Sequence, residues 1–295
     1  MPALTDEARA KVNLTLRVIG RRVDGYHDLE SVVAFCDCAD RLTLERGTGL
    51  TLTTIGPRAP DCGEAADNLV LKAARLLGER VGEFKAGEFI LDKVLPVAAG
   101  IGGGSADAAA ALRLLARANK LELDDPRLIE VARLTGADVP VCLASRACVM
   151  TGVGETLLPL TLPKMPCVLV NPCVPVATSD VFRALGLRHG ELLVGATDVI
   201  LYDPTWPEAG APIDAWIGVL SDIGNDLEKP AMRIQPVIGE VLAALRDTAG
   251  ARLARMSGSG ATCFAIFNDV ADAQRAAQAI RREHPAWWVH AGALS

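Results

Sequence analysis

The chain has 295 residues, 50% of them hydrophobic and 22% charged, which is enough apolar side chain for one large or two modest cores and is not the composition of a disordered segment. Its formal net charge of -6, without a long run of Lys or Arg, excludes a phosphate-backbone footprint, so no nucleic acid partner is expected. No apolar stretch approaches the ~18 residues of a membrane span and the N-terminal residues carry acids, so a soluble, cytoplasmic protein without a membrane partner is expected.

In chain order, the alternation from Ala8 to Leu16 predicts a half-buried strand with Lys11 and Asn13 on its polar face. Gly20 to Gly25 read as a turn-rich loop leading to Tyr26 and His27, followed by two strands, Leu29 to Phe35 and Arg41 to Glu45. A helix is predicted from Asn68, a suitable cap, to Val81, and a strand from Phe89 to Val94. The Ala-rich stretch Ala108 to Asn119 predicts a helix, and another begins near Pro126 and ends at Gly136.

After a strand at Cys148 to Thr151, prolines 159, 163 and 166 cluster, and the domain boundary is expected there, giving residues 1–163 and 164–295. The second part opens on a strand at Cys167 to Val170 and a helix near Thr178. A Gly/Pro-broken segment follows as far as Pro212. Helices at Asp214 to Ser221, Val237 to Thr248 and Ala271 to Arg282, with strands at Leu253 to Met256, Thr262 to Phe267 and Trp287 to His290, complete an α+β layering. The eight cysteines are scattered, with no Cys-x-x-Cys pair and no His at metal spacing, so they read as buried thiols and no protein metal site is expected.

The segment Gly100-Ile101-Gly102-Gly103-Gly104-Ser105 carries the strongest chemical signal. Closely spaced glycines let backbone N–H groups approach an anion, and the helix that follows places its positive dipole end there. The spacing is neither a Walker loop, which ends in Gly-Lys-Ser/Thr, nor a dinucleotide fingerprint. A glycine cluster also serves tight turns, so this segment alone leaves phosphate binding and plain turn geometry both open. Lys11 by itself reads equally as a surface lysine, Asp138 as a helix-terminating turn residue, and Ser257-Gly258-Ser259-Gly260 as a flexible hairpin.

Pro96-Val97-Ala98-Ala99-Gly100-Ile101-Gly102-Gly103-Gly104-Ser105-Ala106 resembles the ATP loop of the kinases that include galactokinase, homoserine kinase, mevalonate kinase and phosphomevalonate kinase. Ala10 to Leu14, Gly20 to His27, Gly136 to Pro140 and Met256 to Thr262 resemble, in order, further motifs of one branch of that family, and the likeness covers nearly the whole chain. The resemblance implies a two-lobed α+β fold, with an N-terminal lobe like the second domain of ribosomal protein S5 and a ferredoxin-like C-terminal lobe.

It implies ATP as co-substrate, held by residues 96–106, with Mg2+ carried on the nucleotide. Asp138 is implied as the base and Lys11 as its charged partner. Asn13, Tyr26, His27, Thr178 and Phe182 are implied as substrate-binding residues, the Tyr26 ring stacking on a cytosine and His27 meeting its polar edge. The implied partner is a small molecule carrying a cytidine diphosphate group, a sugar alcohol phosphorylated on its 2-hydroxyl in the non-mevalonate route to isopentenyl diphosphate. Base stacking on an aromatic contributes roughly 1–3 kcal/mol, enough to select such a substrate over a bare polyol. Where many relatives carry a second serine after Ser105 this chain has Ala106, and Asn225 reads as a helix N-cap without catalytic role.

Overall fold

A computed structural model describes residues 3–45, 47, 49–193 and 206–295. Part of the Gly/Pro-broken segment expected before Pro212, residues 194–205, lies outside the described residues. The fold is mixed α+β, and the chain divides into two compact units that are not simple halves. One comprises residues 1–11, 38–97 and 102–145; the other comprises 12–37, 98–101 and 146–295. The expected division at 163/164 falls within the second unit, between its strands β7 (Thr156–Pro159) and β8 (Met165–Asn171).

In the first unit, β1 (Leu4–Asn13) pairs with β3 (His27–Glu45), and β3 pairs antiparallel with β5 (Glu88–Asp92) from Arg41 opposite Asp92 to Glu45 opposite Glu88. Strand β4 (Thr51–Ile55), not expected from the sequence, runs parallel to β5. Helices α1 (Leu69–Gly78), α2 (Gly103–Asn119), α3 (Pro126–Thr135) and α4 (Val139–Ala144) pack on one another. Helix α2 is the centre of this group: Ala108 to Leu112, Leu114 and Leu115 are all fully buried, the all-round burial of a core helix. Asn68 caps α1 by accepting from the Val70 N–H at 2.9 Å, and Asp125 caps α3 through the Arg127 N–H at 2.9 Å.

In the second unit, β2 (Arg17–Arg21) and β6 (Cys148–Gly152) each pair antiparallel with the first part of β3, and β6 turns back into β7. Strand β8, then β9 (Ala251–Met256), β10 (Cys263–Phe267) and β11 (Trp288–Leu294) form an antiparallel sheet in the order β11-β8-β10-β9. Between β8 and β9 come α5 (Thr178–Ala184), α6 (Ile213–Asp222), α7 (Glu228–Ile234) and α8 (Val237–Arg246), and α9 (Val270–Glu283) joins β10 to β11. Counted within this sheet the strand order is fourth, first, third, second, the arrangement of the expected ferredoxin-like fold. Helices α8 and α9 pack on its strands, burying Ile238, Val241, Leu242, Leu245, Ala277 and Ile280 against Val168, Val170, Ala265 and Phe267.

Three differences from the sequence reading bear on the site. The two strands expected at 29–35 and 41–45 are one strand of 19 residues, which continues through Asp40, fully buried and paired with Lys93. Helix α2 starts at Gly103 rather than Ala108, since the low helix propensity of glycine masks a first turn that tertiary packing enforces. The face of β1 that carries Lys11 and Asn13 is not solvated: the two residues are 3% and 1% exposed.

Candidate functional site

The first unit brings Lys11 and Asp138 together from positions 127 residues apart, with Lys11 Nζ donating to Asp138 Oδ1 at 3.0 Å. Strand β1 delivers Lys11 into the interior, and Asp138 sits immediately before α4, where Pro140 occupies the first turn and needs no N–H partner. The pair is asymmetric: the lysine side chain is 4% exposed and the carboxylate 38%. The ammonium is therefore fixed by packing while its partner keeps an open side that a reactant hydroxyl can reach.

Gly102 abuts this pair. Its φ is +64°, and a Cβ there would lie 3.3 Å from both Cβ and Cε of Lys11, so backbone conformation and close approach both favour glycine. Helix α2 begins at the next residue, and the first intrahelical bond is Ala106 N–H to Gly102 C=O at 2.8 Å. The N–H groups of Gly103, Gly104 and Ser105 thus have no partner within the helix, and Gly104 is exposed. They stand at the positive end of a 17-residue helix, the setting in which backbone amides are able to hold an anion. Of the other predicted nucleotide residues in this unit, Pro96 and Ala106 are buried and Val97 is exposed, so Ser105, half-buried, is the hydroxyl at hand.

In the second unit, residues 98–101 of the same segment are locked to the Ser257-Gly258-Ser259-Gly260 turn. The Ser257 hydroxyl donates to Gly100 C=O at 2.9 Å and accepts from the Asn13 N–H at 3.1 Å, while the Thr262 N–H donates to Ala99 C=O at 3.0 Å. Gly100 has φ +75°, and a Cβ on it would come within 2.5 Å of Ser257 O and 2.7 Å of Gly260 O. The Gly-Ser turn is therefore a structural support of the glycine-rich segment, not a free hairpin. Asn225 holds it from the other side: its Nδ2 donates to Met256 C=O at 2.8 Å and Gly258 C=O at 2.9 Å, and its Oδ1 accepts from the Leu227 N–H. The residue read as a simple N-cap thus stands two positions before the capping residue of α7 and fastens the turn.

The remaining predicted substrate residues are also in the second unit. Asn13 donates through Nδ2 to the Ser31 hydroxyl at 2.7 Å, and the Thr178 and Ser259 hydroxyls are 2.9 Å apart. Tyr26 is exposed at the end of the β2–β3 turn, which Arg22 and Asp24 close with an ion pair. His27 and Phe182 are stacked with ring centroids 4.5 Å apart and planes at 27°, so Phe182 lies on the imidazole. His27 Nε2 is buried without a hydrogen-bond partner, an orphaned polar atom of the kind a ligand completes. Burial, with help from the Arg21 charge, lowers the His27 pKa below the usual 6.5, which favours the neutral ring.

Three charged residues were not singled out in the sequence: Lys93, Asp40 and Asp107, buried together in the first unit. The signal was present as Asp107, the sole acid in the helix that contains the glycines, and Lys93, a charge that follows Asp92 directly at the end of a hydrophobic strand.

Comparison with known proteins gives the family of the chain. The family descriptions "GHMP kinases N terminal domain" and "GHMP kinases C terminal" match residues 68–146 and 211–286. The 4-diphosphocytidyl-2-C-methyl-D-erythritol kinase of Bradyrhizobium diazoefficiens is 74% identical over 295 residues, covering 100% of this chain and 99% of the relative. That of Nitrobacter winogradskyi is 72% identical over 293 residues, covering 99% and 94% respectively. A solved 4-(cytidine 5'-diphospho)-2C-methyl-D-erythritol kinase superposes with a TM-score of 0.77 at 36% identity, over 99% of each chain.

Proposed function

The chain belongs to the GHMP kinases, and within them to the 4-diphosphocytidyl-2-C-methyl-D-erythritol kinase family, and from that premise we propose that Lys11 and Asp138 carry the transfer of the γ-phosphoryl group of ATP to the 2-hydroxyl of that cytidine-linked substrate. The products are the 2-phosphate and ADP, in the non-mevalonate pathway to isopentenyl diphosphate. The chain is thus an ATP-dependent small-molecule kinase with an alcohol acceptor. The observation that carries the residue assignment is the 3.0 Å contact between a packed ammonium and a half-open carboxylate beside Gly102.

The chemistry follows from the groups. In phosphoryl transfer the substrate oxygen forms its bond to Pγ as the bond from Pγ to the β-phosphate oxygen breaks, through a loose transition state that needs alignment and charge neutralisation more than covalent help. Asp138 accepts the proton of the attacking hydroxyl, and Lys11 orients that carboxylate and adds positive charge next to the glycine-rich turn. The amides of Gly103, Gly104 and Ser105 stabilise charge on the nucleotide. Mg2+ travels with ATP on its phosphate oxygens, as suits a hard cation that keeps much of its water. Residues 96–106 as a whole bind the nucleotide, Ala106 serving through its backbone.

Recognition of the cytidine is assigned to the second unit. Tyr26 offers an exposed ring for stacking, and His27, neutral and with an orphaned Nε2, offers one hydrogen bond to the base edge. Asn13, Thr178 and Phe182 complete this set. The division at 163/164 into an N-terminal kinase lobe and a ferredoxin-like lobe, cytoplasmic location, and the absence of nucleic acid or membrane from the reaction belong to the same reading. No described helix is long and apolar enough to cross a membrane.

The test is coupled ADP release with magnesium and the folded protein. Turnover is expected with the cytidine-bearing acceptor and not with the acceptor lacking its cytidine diphosphate. ADP release that ignores the cytidine, or none with any acceptor, overturns the proposal.

A further inference from the structure

The buried charge cluster in the first unit has no part in the chemistry described so far. Lys93 and Asp107 are each 2% exposed and Asp40 is fully buried. Lys93 Nζ donates to Asp40 Oδ2 at 2.6 Å and to Asp107 Oδ2 at 2.5 Å. The other oxygen of Asp40 accepts two backbone N–H groups, Val94 at 2.7 Å and Leu95 at 2.9 Å. A Cβ on Gly103 would lie 3.3 Å from Lys93 Nζ, so the ammonium sits directly behind the first residue of α2.

These contacts fall at two places in the chain with one segment between them. Val94 and Leu95 are the last residues before Pro96; Asp107 is the first after Ala106. We propose that Lys93 is a positioning residue for the nucleotide: with Asp40 and Asp107 it fastens both ends of the glycine-rich segment, so that the Gly103, Gly104 and Ser105 amides are set before ATP arrives. This rests on the reading of residues 96–106 as the nucleotide segment.

Stability is a poor account of the cluster. Two carboxylates share one ammonium, and Asp107 Oδ1 has no hydrogen-bond partner. Burial pushes the Asp107 carboxyl up to about 7, against the pull of Lys93 and with the charge of Asp40 adding to the rise. Buried ion pairs of this kind are often matched or exceeded in stability by apolar side chains of similar volume, whereas directed contacts fix geometry. Preorganised donors matter most where charge must be met without reorganisation, which is the task of a phosphate-binding turn.

The experiment compares Asp107→Ala with Asp107→Asn in the full chain. It measures KM for ATP, KM for the cytidine-bearing acceptor, and calorimetric affinity for a non-hydrolysable ATP analogue. Asp107→Ala removes one of the two buried carboxyls and leaves Lys93 paired with Asp40, so the protein is expected to fold. Its KM for ATP and its analogue dissociation constant should rise about 10-fold, with acceptor KM within twofold, because misplacing donors by a fraction of an ångström weakens every contact they make. Asp107→Asn, which keeps an acceptor for Lys93, should recover most of the loss. If Asp107→Ala does not fold, a nucleotide-confined rise of about threefold in Asp107→Asn supports the proposal, and unchanged nucleotide affinity there overturns it.

A third variant, Gly104→Val, separates this idea from the reading beneath it. Its Cβ meets only Leu69 Cδ1, at 3.9 Å, so the fold accepts it while its side chain projects over the turn. If Gly104→Val binds the analogue as tightly as the parent, the nucleotide segment is misassigned. If it loses binding while Asp107→Ala does not, the positioning role of Lys93 and Asp107 is wrong.

Discussion

Replacing Asp138 by Asn separates catalysis from folding at the central pair. The amide keeps an oxygen for Lys11 Nζ to bond at the position now 3.0 Å away, but it cannot take a proton. Losing a general base costs typically 10²–10⁴-fold in turnover, about 3–5 kcal/mol of transition-state stabilisation. The loss in stability is smaller. Asp138 is 38% exposed, so water screens its charge, but Lys11 at 4% is left with a neutral partner, and roughly 1–2 kcal/mol is expected. For a protein of this size that lowers the melting temperature by roughly 2–8 °C. Coupled ADP release should therefore fall by at least about 10²-fold with both KM values within threefold, while calorimetry records a folded protein. Turnover within tenfold of the parent would remove Asp138 from its role as base. An equal loss from unfolding would reduce the pair to a structural contact.

Gly100→Ala forces a Cβ to within 2.5 Å of Ser257 O at φ +75°, so nucleotide affinity and stability should fall together by several kcal/mol; differential scanning calorimetry with and without ATP checks this. His27→Ala should raise KM for the cytidine-bearing acceptor about 10-fold or more at unchanged KM for ATP, as the loss of one base-edge bond and its stacked support requires. Because burial lowers the His27 pKa, the folded state disfavours its proton. Its contribution to stability is thus present above pH 6.5 and lost as pH falls through the folded value, and an NMR titration of the ring should find a midpoint below 6.5. Asp107 has the opposite sign. Its folded value of about 7 against an ordinary 3.8 means that the folded state holds the proton more tightly, so stability falls as pH rises from about 4 to about 7. Urea unfolding at pH 5 and pH 8 should show a smaller pH difference in Asp107→Asn than in the parent.

The sequence by itself determined the chemistry that local pattern encodes. Glycines 100, 102, 103 and 104 before an Ala-rich stretch marked a tight backbone turn at a helix start, open to a phosphate or to plain turn geometry, and Gly100 and Gly102 do take positive φ. The resemblance of Lys11, that segment and Asp138, in order, to a kinase family implied kinase chemistry, and the hydrophobic periodicity located most strands and helices. The family resemblance implied Lys11 as the partner of Asp138, but only the tertiary structure shows the 3.0 Å contact across 127 residues, since a contact of that separation leaves no periodic trace. The same holds for Asp40, Lys93 and Asp107: a buried charge is not told from a surface one until its partners are known. It holds again for Ser257 and Asn225, whose side chains spend their hydrogen bonds on backbone far away in the chain, at Gly100 and Gly258. Local sequence reports what a residue prefers; which partner satisfies it is decided by packing.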